Sequence, residues 1–164
     1  MADSKRNIPH FSYVDEIDMT EIEDMRGDLN ANRGERAKLT ILPLMIAAIC
    51  KALRDFPMLN ATYDDEAGFV RRHGAVHLGM ATLTSLGPLG GIATTPVINR
   101  PEVAIIGPNK IVERPMIIDG EIHARKLMNL SISCDHRVVD GYDAASYVQA
   151  LKHFLETPVL LFAD

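Results

Sequence analysis

His136 and Asp140 are the strongest candidates in this chain for residues of a catalytic site. They lie four positions apart, and Gly141 follows directly. A neutral imidazole can take a proton from a thiol or a hydroxyl near neutral pH, so His136 is a candidate general base. The alternative is an ordinary hydrogen-bonded or surface histidine in a loop. Cys134 is a weaker candidate, as a nucleophile, because it occupies an apolar strand position and nothing nearby indicates an activated thiol.

The residues around His136 predict that it lies between a strand and a helix. Apolar and polar residues alternate through 128–135, which is typical of a half-buried strand. Beyond Gly141, with Asp143 as the expected N-cap and Pro158 past the end, apolar residues recur at helical spacing: Ala144, Ala145, Val148, Leu151 and Leu155. A short connection of this kind holds side chains firmly and leaves them accessible.

The heptapeptide Asp-His-Arg-Val-Val-Asp-Gly at 135–141 resembles a family signature. It is similar to the DHRxxDG motif of the acyltransferase (E2) catalytic domains of 2-oxo acid dehydrogenase complexes and, through HxxxDG, more widely to chloramphenicol acetyltransferase. Residues 8–11 (Ile-Pro-His-Phe), 38–61 and 82–92 resemble other stretches of the family in the same order. The resemblance extends from about residue 6 to the C-terminus.

The resemblance implies roles for individual residues. His136 would deprotonate a thiol, and the thiolate would attack a thioester carbonyl. Thr84 would donate a hydrogen bond to the resulting oxyanion, with Ser85 as the second candidate and a substrate-binding residue. Judged without the family, Thr84 is as well explained by hydrogen bonds within its own loop.

The family's aspartate is chiefly a structural anchor, so the resemblance assigns Asp140 to holding the histidine loop. In the family this aspartate pairs with an arginine, for which Arg6 and Arg137 are the candidates here. Gly141 would permit a sharp backbone turn.

The implied activity is transfer of an acyl group between dihydrolipoamide and coenzyme A. The stretches 11–18 and 61–68 look closer to branched-chain than to pyruvate-type members. Coenzyme A and the lipoyl group would be substrates, and we expect no tightly bound cofactor and no metal. Family members form homotrimers, with the histidine of one chain facing the hydroxyl of a neighbour, and these trimers build larger hollow cores. The lipoyl domain and the E1 and E3 components would be partners, the last two through domains that this sequence lacks.

The chain departs from the family pattern near Ala81 and Thr82. Members carry a GLxVPV strand and a long helix between the segments that are fused here. An oligomeric scaffold with impaired catalysis is therefore the alternative function. A free-standing acetyltransferase resembling chloramphenicol acetyltransferase is a third, disfavoured by the sequence Asp-His-Arg at 135–137.

Composition sets the remaining expectations. The 164 residues, 47% hydrophobic with a formal net charge of -5, predict a single catalytic-core domain over 1–164 that binds neither nucleic acid nor membrane. We expect a cytoplasmic protein, or a matrix protein in a eukaryote. Cys50 and Cys134 are expected to be reduced core residues. His73 and His77 lie four apart, but a strand offers no helical face on which they could form a zinc pair.

The predicted architecture is α+β, a shortened, chloramphenicol acetyltransferase-like mixed sheet covered by helices. Helices are expected over about 21–32, opened by a capping box of Thr20 and Glu23, and from Thr40 towards Pro57. The predicted strands are 8–19, 61–64, 68–72, 75–84, 102–107, 110–118 and 121–126, with Asp119 and Gly120 as a hairpin turn.

Overall fold

A three-stranded antiparallel sheet is the centre of the computed structural model, which describes residues 2–80 and 91–163. The elements in chain order are α1 (Ala2–Asn7), β1 (His10–Asp18), α2 (Thr20–Ala31), α3 (Ile41–Ala52), β2 (Ala61–Asp64), β3 (Phe69–Arg72), β4 (Ala104–Ile118), β5 (Glu121–Asp135), α4 (Gly141–Glu156) and a final 3₁₀ turn (Pro158–Leu161). This mixture of sheet and covering helices confirms the predicted α+β class.

β5 is the middle strand of the sheet. On one side β1 pairs with it in antiparallel register, with His10 opposite Asp135. On the other side β4 pairs with it, with Ala104 opposite Cys134. The second half of β5 is therefore enclosed, and the strand ends beside the start of β1. This register brings residues 136–140 next to the first strand of the chain.

β4 and β5 are each longer than the sequence predicted. The two strands expected at 102–107 and 110–118 form one strand of 15 residues, with a register shift between Pro108 and Ile111. A bulge lets a strand continue past a proline that cannot donate a ladder hydrogen bond. The predicted turn at Asp119 and Gly120 is confirmed, since both residues have the positive φ (51° and 85°) that a tight two-residue hairpin requires.

The helices bury their apolar sides against this sheet. α4 contacts β1, β5 and α3, and α2 contacts α4. The hydrophobic core lies between the sheet and the helices. Its side chains that are at most 1% exposed include Met128, Leu130 and Ile132 of β5 and Tyr147, Leu151 and Leu155 of α4. A second, two-stranded sheet is formed by β2 and β3, with Ala61 opposite Arg72.

The expected capping box of α2 is wrong. Met19 occupies the N-cap position, and no side chain caps the helix there. The Thr20 hydroxyl instead donates to Asp18 Oδ1 (2.6 Å) and accepts the backbone N–H of Lys126 (2.9 Å). The hydroxyl therefore binds β5 and does not cap the helix, although the local sequence pattern predicted a cap. Thr40 does occupy the N-cap position of α3, although its side chain makes no capping bond.

The strand predicted over 75–84 is wrong in its described part. Residues 75–80 form no strand, and 81–84 lie outside the described residues. A strand exists only by pairing with a neighbour, and none of the described strands pairs with this segment. α1 was not predicted. Within residues 2–80 and 91–163, the helices are all too short or too polar to cross a membrane.

Candidate active site

A tight turn between β5 and α4 presents His136. The Asp135 carbonyl accepts the N–H groups of Val138 and Val139, each at 3.0 Å, and the His136 N–H donates to the Pro9 carbonyl at 3.0 Å. The backbone of His136 is thus fixed both by its own turn and by the residue that precedes β1. The strand-to-helix connection expected from the sequence is confirmed.

The His136 side chain is exposed and packs against one aromatic ring. Its imidazole lies 4.7 Å from the Phe11 ring, centre to centre, at an interplanar angle of 51°. An imidazole held in this way remains open to a substrate thiol. The nearby Cys134 is fully buried, and burial raises the pKa of its thiol to about 12. Cys134 is therefore protonated at neutral pH and serves as a packing residue.

Asp140 is the N-cap of α4. Its backbone is extended (φ -93°, ψ 173°), and its Oδ1 accepts the N–H of Asp143 at 2.8 Å. The expectation that Asp143 caps the helix is wrong, because Asp143 already lies in the first helical turn and supplies the N–H that is capped. Gly141 does not have a positive φ, and a Cβ there would meet open space, so the turn does not depend on a glycine.

Arg137 binds the aspartate before the histidine, not Asp140. Its backbone N–H and Nε donate to Asp135 Oδ1 at 3.0 Å and 2.9 Å, and Nη2 donates to Oδ2 at 2.5 Å. Asp135 is only 1% exposed, so the guanidinium fork neutralises a buried carboxylate. Hydrogen bonds to this carboxylate raise the pKa of Arg137 further. Arg6, the other candidate partner of Asp140, is exposed at the end of α1.

Thr84 and Ser85, the predicted oxyanion donors, lie outside the described residues. The chain after residue 91 is bound to the sheet by hydrogen bonds near the N-terminal end of β1. The Ile98 N–H donates to His10 Nε2 at 3.1 Å, and His10 Nδ1 donates to the Ile8 carbonyl at 2.8 Å. Two backbone groups therefore determine the tautomer of His10, as expected for a structural histidine.

Two other features of the described structure bear on binding. His73 Nε2 lies 3.1 Å from the Thr62 hydroxyl, and within residues 2–80 and 91–163 no three His, Cys, Asp or Glu side chains form a group that could hold a metal. A cavity of about 990 Å³ between α3 and residues 94–106 is lined mainly by apolar side chains and by Tyr147, whose buried hydroxyl has no hydrogen-bond partner among the described residues. His136 is not among its lining residues.

Comparison with known protein families identifies relatives along nearly the whole chain. The model of the 2-oxoacid dehydrogenases acyltransferase (catalytic domain) matches residues 1–84 and 81–163. The lipoamide acyltransferase component of the branched-chain alpha-keto acid dehydrogenase complex of Pseudomonas putida is 47% identical over 214 residues, which cover all of this chain and 51% of the relative. The dihydrolipoyllysine-residue acetyltransferase component of the pyruvate dehydrogenase complex of Staphylococcus epidermidis is 30% identical, over all of this chain and 49% of the relative. The chain thus spans about half the length of the curated relatives it matches.

Solved structures support the same relationship. The dihydrolipoamide acetyltransferase of Azotobacter vinelandii, studied for the role of a serine, a histidine and an asparagine in its catalytic mechanism, is 27% identical with a TM-score of 0.86, covering 98% of this chain and 87% of that one. A chloramphenicol acetyltransferase is 11% identical with a TM-score of 0.56, covering 92% of this chain and 91% of that one, and shares the fold.

The internal gap expected from the sequence is confirmed. The alignment with the Pseudomonas putida relative is 214 positions long, whereas this chain contributes 164 residues, so fifty aligned positions have no residue here. The two family matches meet at residues 81–84, which places the gap beside Ala81 and Thr82. With that gap, the chain belongs to the family of 2-oxoacid dehydrogenase acyltransferase catalytic domains.

Proposed function

We propose that this chain transfers an acyl group between coenzyme A and dihydrolipoamide, with His136 as the general base. The observation that carries the proposal is the exposed His136 imidazole, held by its backbone and by Phe11 at the junction of β5 and α4. The proposed acyl-transfer reaction is inferred from the names of the relatives. Identity is 47% to a branched-chain component and 30% to a pyruvate-type component, which favours a branched-chain acyl group.

The proton transfer is chemically reasonable for these groups. A free thiol has a pKa of about 8.5 and a free imidazole of about 6.5, so moving the proton costs roughly 2.7 kcal/mol before any tuning by the site. The thiolate then attacks the thioester carbonyl carbon, and the carbonyl oxygen becomes an oxyanion. When the tetrahedral intermediate collapses, the carbon–sulfur bond to the other thiol breaks, and the leaving thiolate takes the proton from the imidazolium.

Thr84 is our candidate for the hydroxyl that donates to the oxyanion, with Ser85 beside it as the alternative. In the Azotobacter vinelandii enzyme, the studied histidine follows the studied serine by fifty-two positions. Here His136 follows Thr84 by the same number. A hydroxyl so placed would contribute about 2.7–4 kcal/mol to the transition state.

Asp140 supports the site as a helix cap. In the same enzyme the studied asparagine follows the histidine by four positions, as Asp140 follows His136 here. Aspartate and asparagine are about equally good N-cap residues. A capping role for Asp140, which we propose in place of an ion pair with arginine, is therefore compatible with either side chain.

The proposal extends to the organisation of the protein. Residues 1–164 would form one catalytic-core domain that binds no tightly held cofactor or metal and takes coenzyme A and the lipoyl group as substrates. As the resemblance to the family implies, we propose that the chain forms a homotrimer and that trimers assemble into a larger core. Thr84 of a neighbouring chain would then face His136. The lipoyl domain and the E1 and E3 components would be the partners, and the cytoplasm, or the matrix in a eukaryote, the location.

The naming of the relatives as acyltransferases favours an enzyme over a scaffold without turnover. The test is isobutyryl transfer from isobutyryl-CoA to dihydrolipoamide. His136→Asn should lower kcat by about 10²–10⁴-fold, which is the usual contribution of a general base. His123→Asn is the matched control, because His123 is also exposed but lies on the distal part of the β4–β5 hairpin. If the parent and both variants showed the same background rate, the enzyme hypothesis would be refuted. Assembly detected by light scattering would then support the scaffold hypothesis.

A further inference from the structure

Asp65 connects two arginines at the end of the β2–β3 hairpin. Its Oδ1 accepts Nη1 of Arg137 at 2.7 Å, and its Oδ2 accepts Nη2 of Arg100. Arg137 directly follows the candidate general base, whereas Asp65 is 72 positions away in sequence. A contact between such distant residues is not required by either hairpin or turn alone.

The hairpin turn holds Asp65 in a defined place. Asp64 Oδ1 accepts the N–H groups of Glu66 (3.1 Å) and Ala67 (2.9 Å), and the Asp64 carbonyl accepts the N–H of Gly68 (2.8 Å). Gly68 has a positive φ of 70°, which glycine adopts without strain. These bonds close the turn around Asp65 and fix the backbone from which its short side chain reaches Arg137.

Tyr63 of the same hairpin supports the flat side of the guanidinium. The central carbon of the Arg137 guanidinium lies 4.1 Å from the centre of the Tyr63 ring, within the range of a cation–π contact. The hairpin therefore holds Arg137 at one edge through Asp65 and at one face through Tyr63. Because a guanidinium is planar, these two contacts together determine its orientation.

Arg137 transfers this orientation to His136. Its backbone N–H and its side chain both bind the Asp135 carboxylate, so the residues on either side of His136 are joined through one guanidinium. Asp135 is 1% exposed and needs its partner, because an unpaired buried carboxylate is costly. A shift of Arg137 must therefore displace the turn that carries the imidazole.

We propose that Asp65 is a positioning residue for His136, acting through Arg137. The proposal rests on the acyl transfer proposed above and adds a residue of the β2–β3 hairpin to that site. Asp65 does not touch the reacting atoms. It keeps the imidazole at the distance and angle that proton transfer needs, and a misplacement of about 1 Å can cost on the order of 100-fold in rate.

The kinetic test compares Asp65→Asn, Asp65→Glu and a matched control. Asp24→Asn is the control, because Asp24 also accepts a short ion pair from β5, with Lys126 at 2.7 Å, but at the end of the β1–β5 pairing far from His136. Asp65→Asn should lower kcat for isobutyryl transfer by about tenfold or more, with KM changed less than about twofold. Asp65→Glu restores the carboxylate and should recover much of kcat, and Asp24→Asn should leave both constants unchanged.

Hydrogen exchange measured by mass spectrometry gives a readout that does not require activity. The amides of His136, Val138 and Val139 make the hydrogen bonds that fix the turn. We expect them to exchange about tenfold faster in Asp65→Asn and at the parent rate in Asp24→Asn.

The outcomes separate the two proposals. If the parent shows no acyl transfer, the proposed function fails, and the exchange rates alone decide whether Asp65 anchors the turn. If the parent is active but Asp65→Asn matches Asp24→Asn in kcat and in exchange, the role of Asp65 is overturned and the proposed function stands. A loss of kcat that Asp65→Glu does not recover at all also overturns the role of Asp65.

Discussion

Replacing Asp140 tests whether the aspartate four residues after His136 acts as a helix cap. Its Oδ1 accepts the N–H of Asp143, one of the four N–H groups that α4 cannot satisfy internally. Asp140→Ala removes this acceptor and also a negative charge at the positive end of the helix. Asp140→Asn removes the charge and keeps an acceptor. Asp143→Ala removes a charge from the first turn and leaves the cap in place.

The three variants should therefore rank in stability. Losing an N-cap acceptor costs about 1 kcal/mol, within a range of about 0.5–2, and losing a charge near a helix N-terminus costs about 0.3–1 kcal/mol. We expect Asp140→Ala to lower the free energy of unfolding by about 1–2 kcal/mol, and each of the other two by less than about 1. For a chain of 164 residues, 1 kcal/mol corresponds to roughly 2–4 °C in Tm.

Thermal unfolding followed by far-UV circular dichroism would measure these shifts, at one fixed protomer concentration because assembly makes Tm concentration-dependent. Asp140→Ala should show the largest shift. The reasoning fails if Asp140→Asn is as destabilised as Asp140→Ala, since the carboxylate charge would then matter more than the hydrogen bond. It also fails if Asp143→Ala is the least stable, because Asp143 would then be the cap.

Two further predictions follow from the shifted pKa values. Burial raises the pKa of Asp18, but hydrogen bonds from Thr20 and Arg125 outweigh this effect, so the pKa of Asp18 is lowered. The pKa of Asp65 is also lowered, mainly by its hydrogen bond from Arg137. A depressed folded-state pKa means that the unfolded chain binds more protons, so this stabilisation is complete above the unfolded value of about 3.9 and is lost as the pH falls through the folded value. Urea midpoints should therefore fall from about pH 5 to pH 3, and fall less in Asp18→Asn; equal slopes would contradict this. The pKa of Cys134 is raised to about 12, so iodoacetamide at about pH 8 should alkylate the half-buried Cys50 first in the folded protein. Peptide mapping would identify the labelled cysteine, and preferential labelling of Cys134 would refute its assignment as a packing residue.

Local patterns predicted the part of the site that is continuous in sequence. Alternation through 128–135 and helical spacing after Gly141 correctly placed His136 at a strand-to-helix junction. The turn at Asp119 and Gly120 was equally readable, because few residue pairs tolerate positive φ at both positions. In each case a few neighbouring residues determine the backbone.

Two of the misses have a common physical cause, which is a contact with a distant part of the chain. Thr20 had the pattern of a cap, but Asp18 and Lys126 bind its hydroxyl. Another miss is local: the sequence predicted Asp143 as the cap of α4, whereas the extended backbone at Asp140 makes Asp140 the cap. Nothing in the sequence near Asp65 indicated that it would reach Arg137 across 72 positions, so this contact was not predicted.

The hydrogen bond from His136 to Pro9 determines when the site can form. It joins residues from opposite ends of the chain, and the register that begins with His10 opposite Asp135 extends the same long-range pairing along β1. During synthesis, β1 leaves the ribosome long before β5, so its pairing edge must wait for its partner. Such high contact order predicts slow folding, during which the unpaired edge of β1 is transiently exposed and can aggregate or bind a chaperone. Under the proposed function, the imidazole therefore reaches its working position only after Pro9 and His136, which are 127 positions apart, have met, so catalysis requires a nearly complete fold.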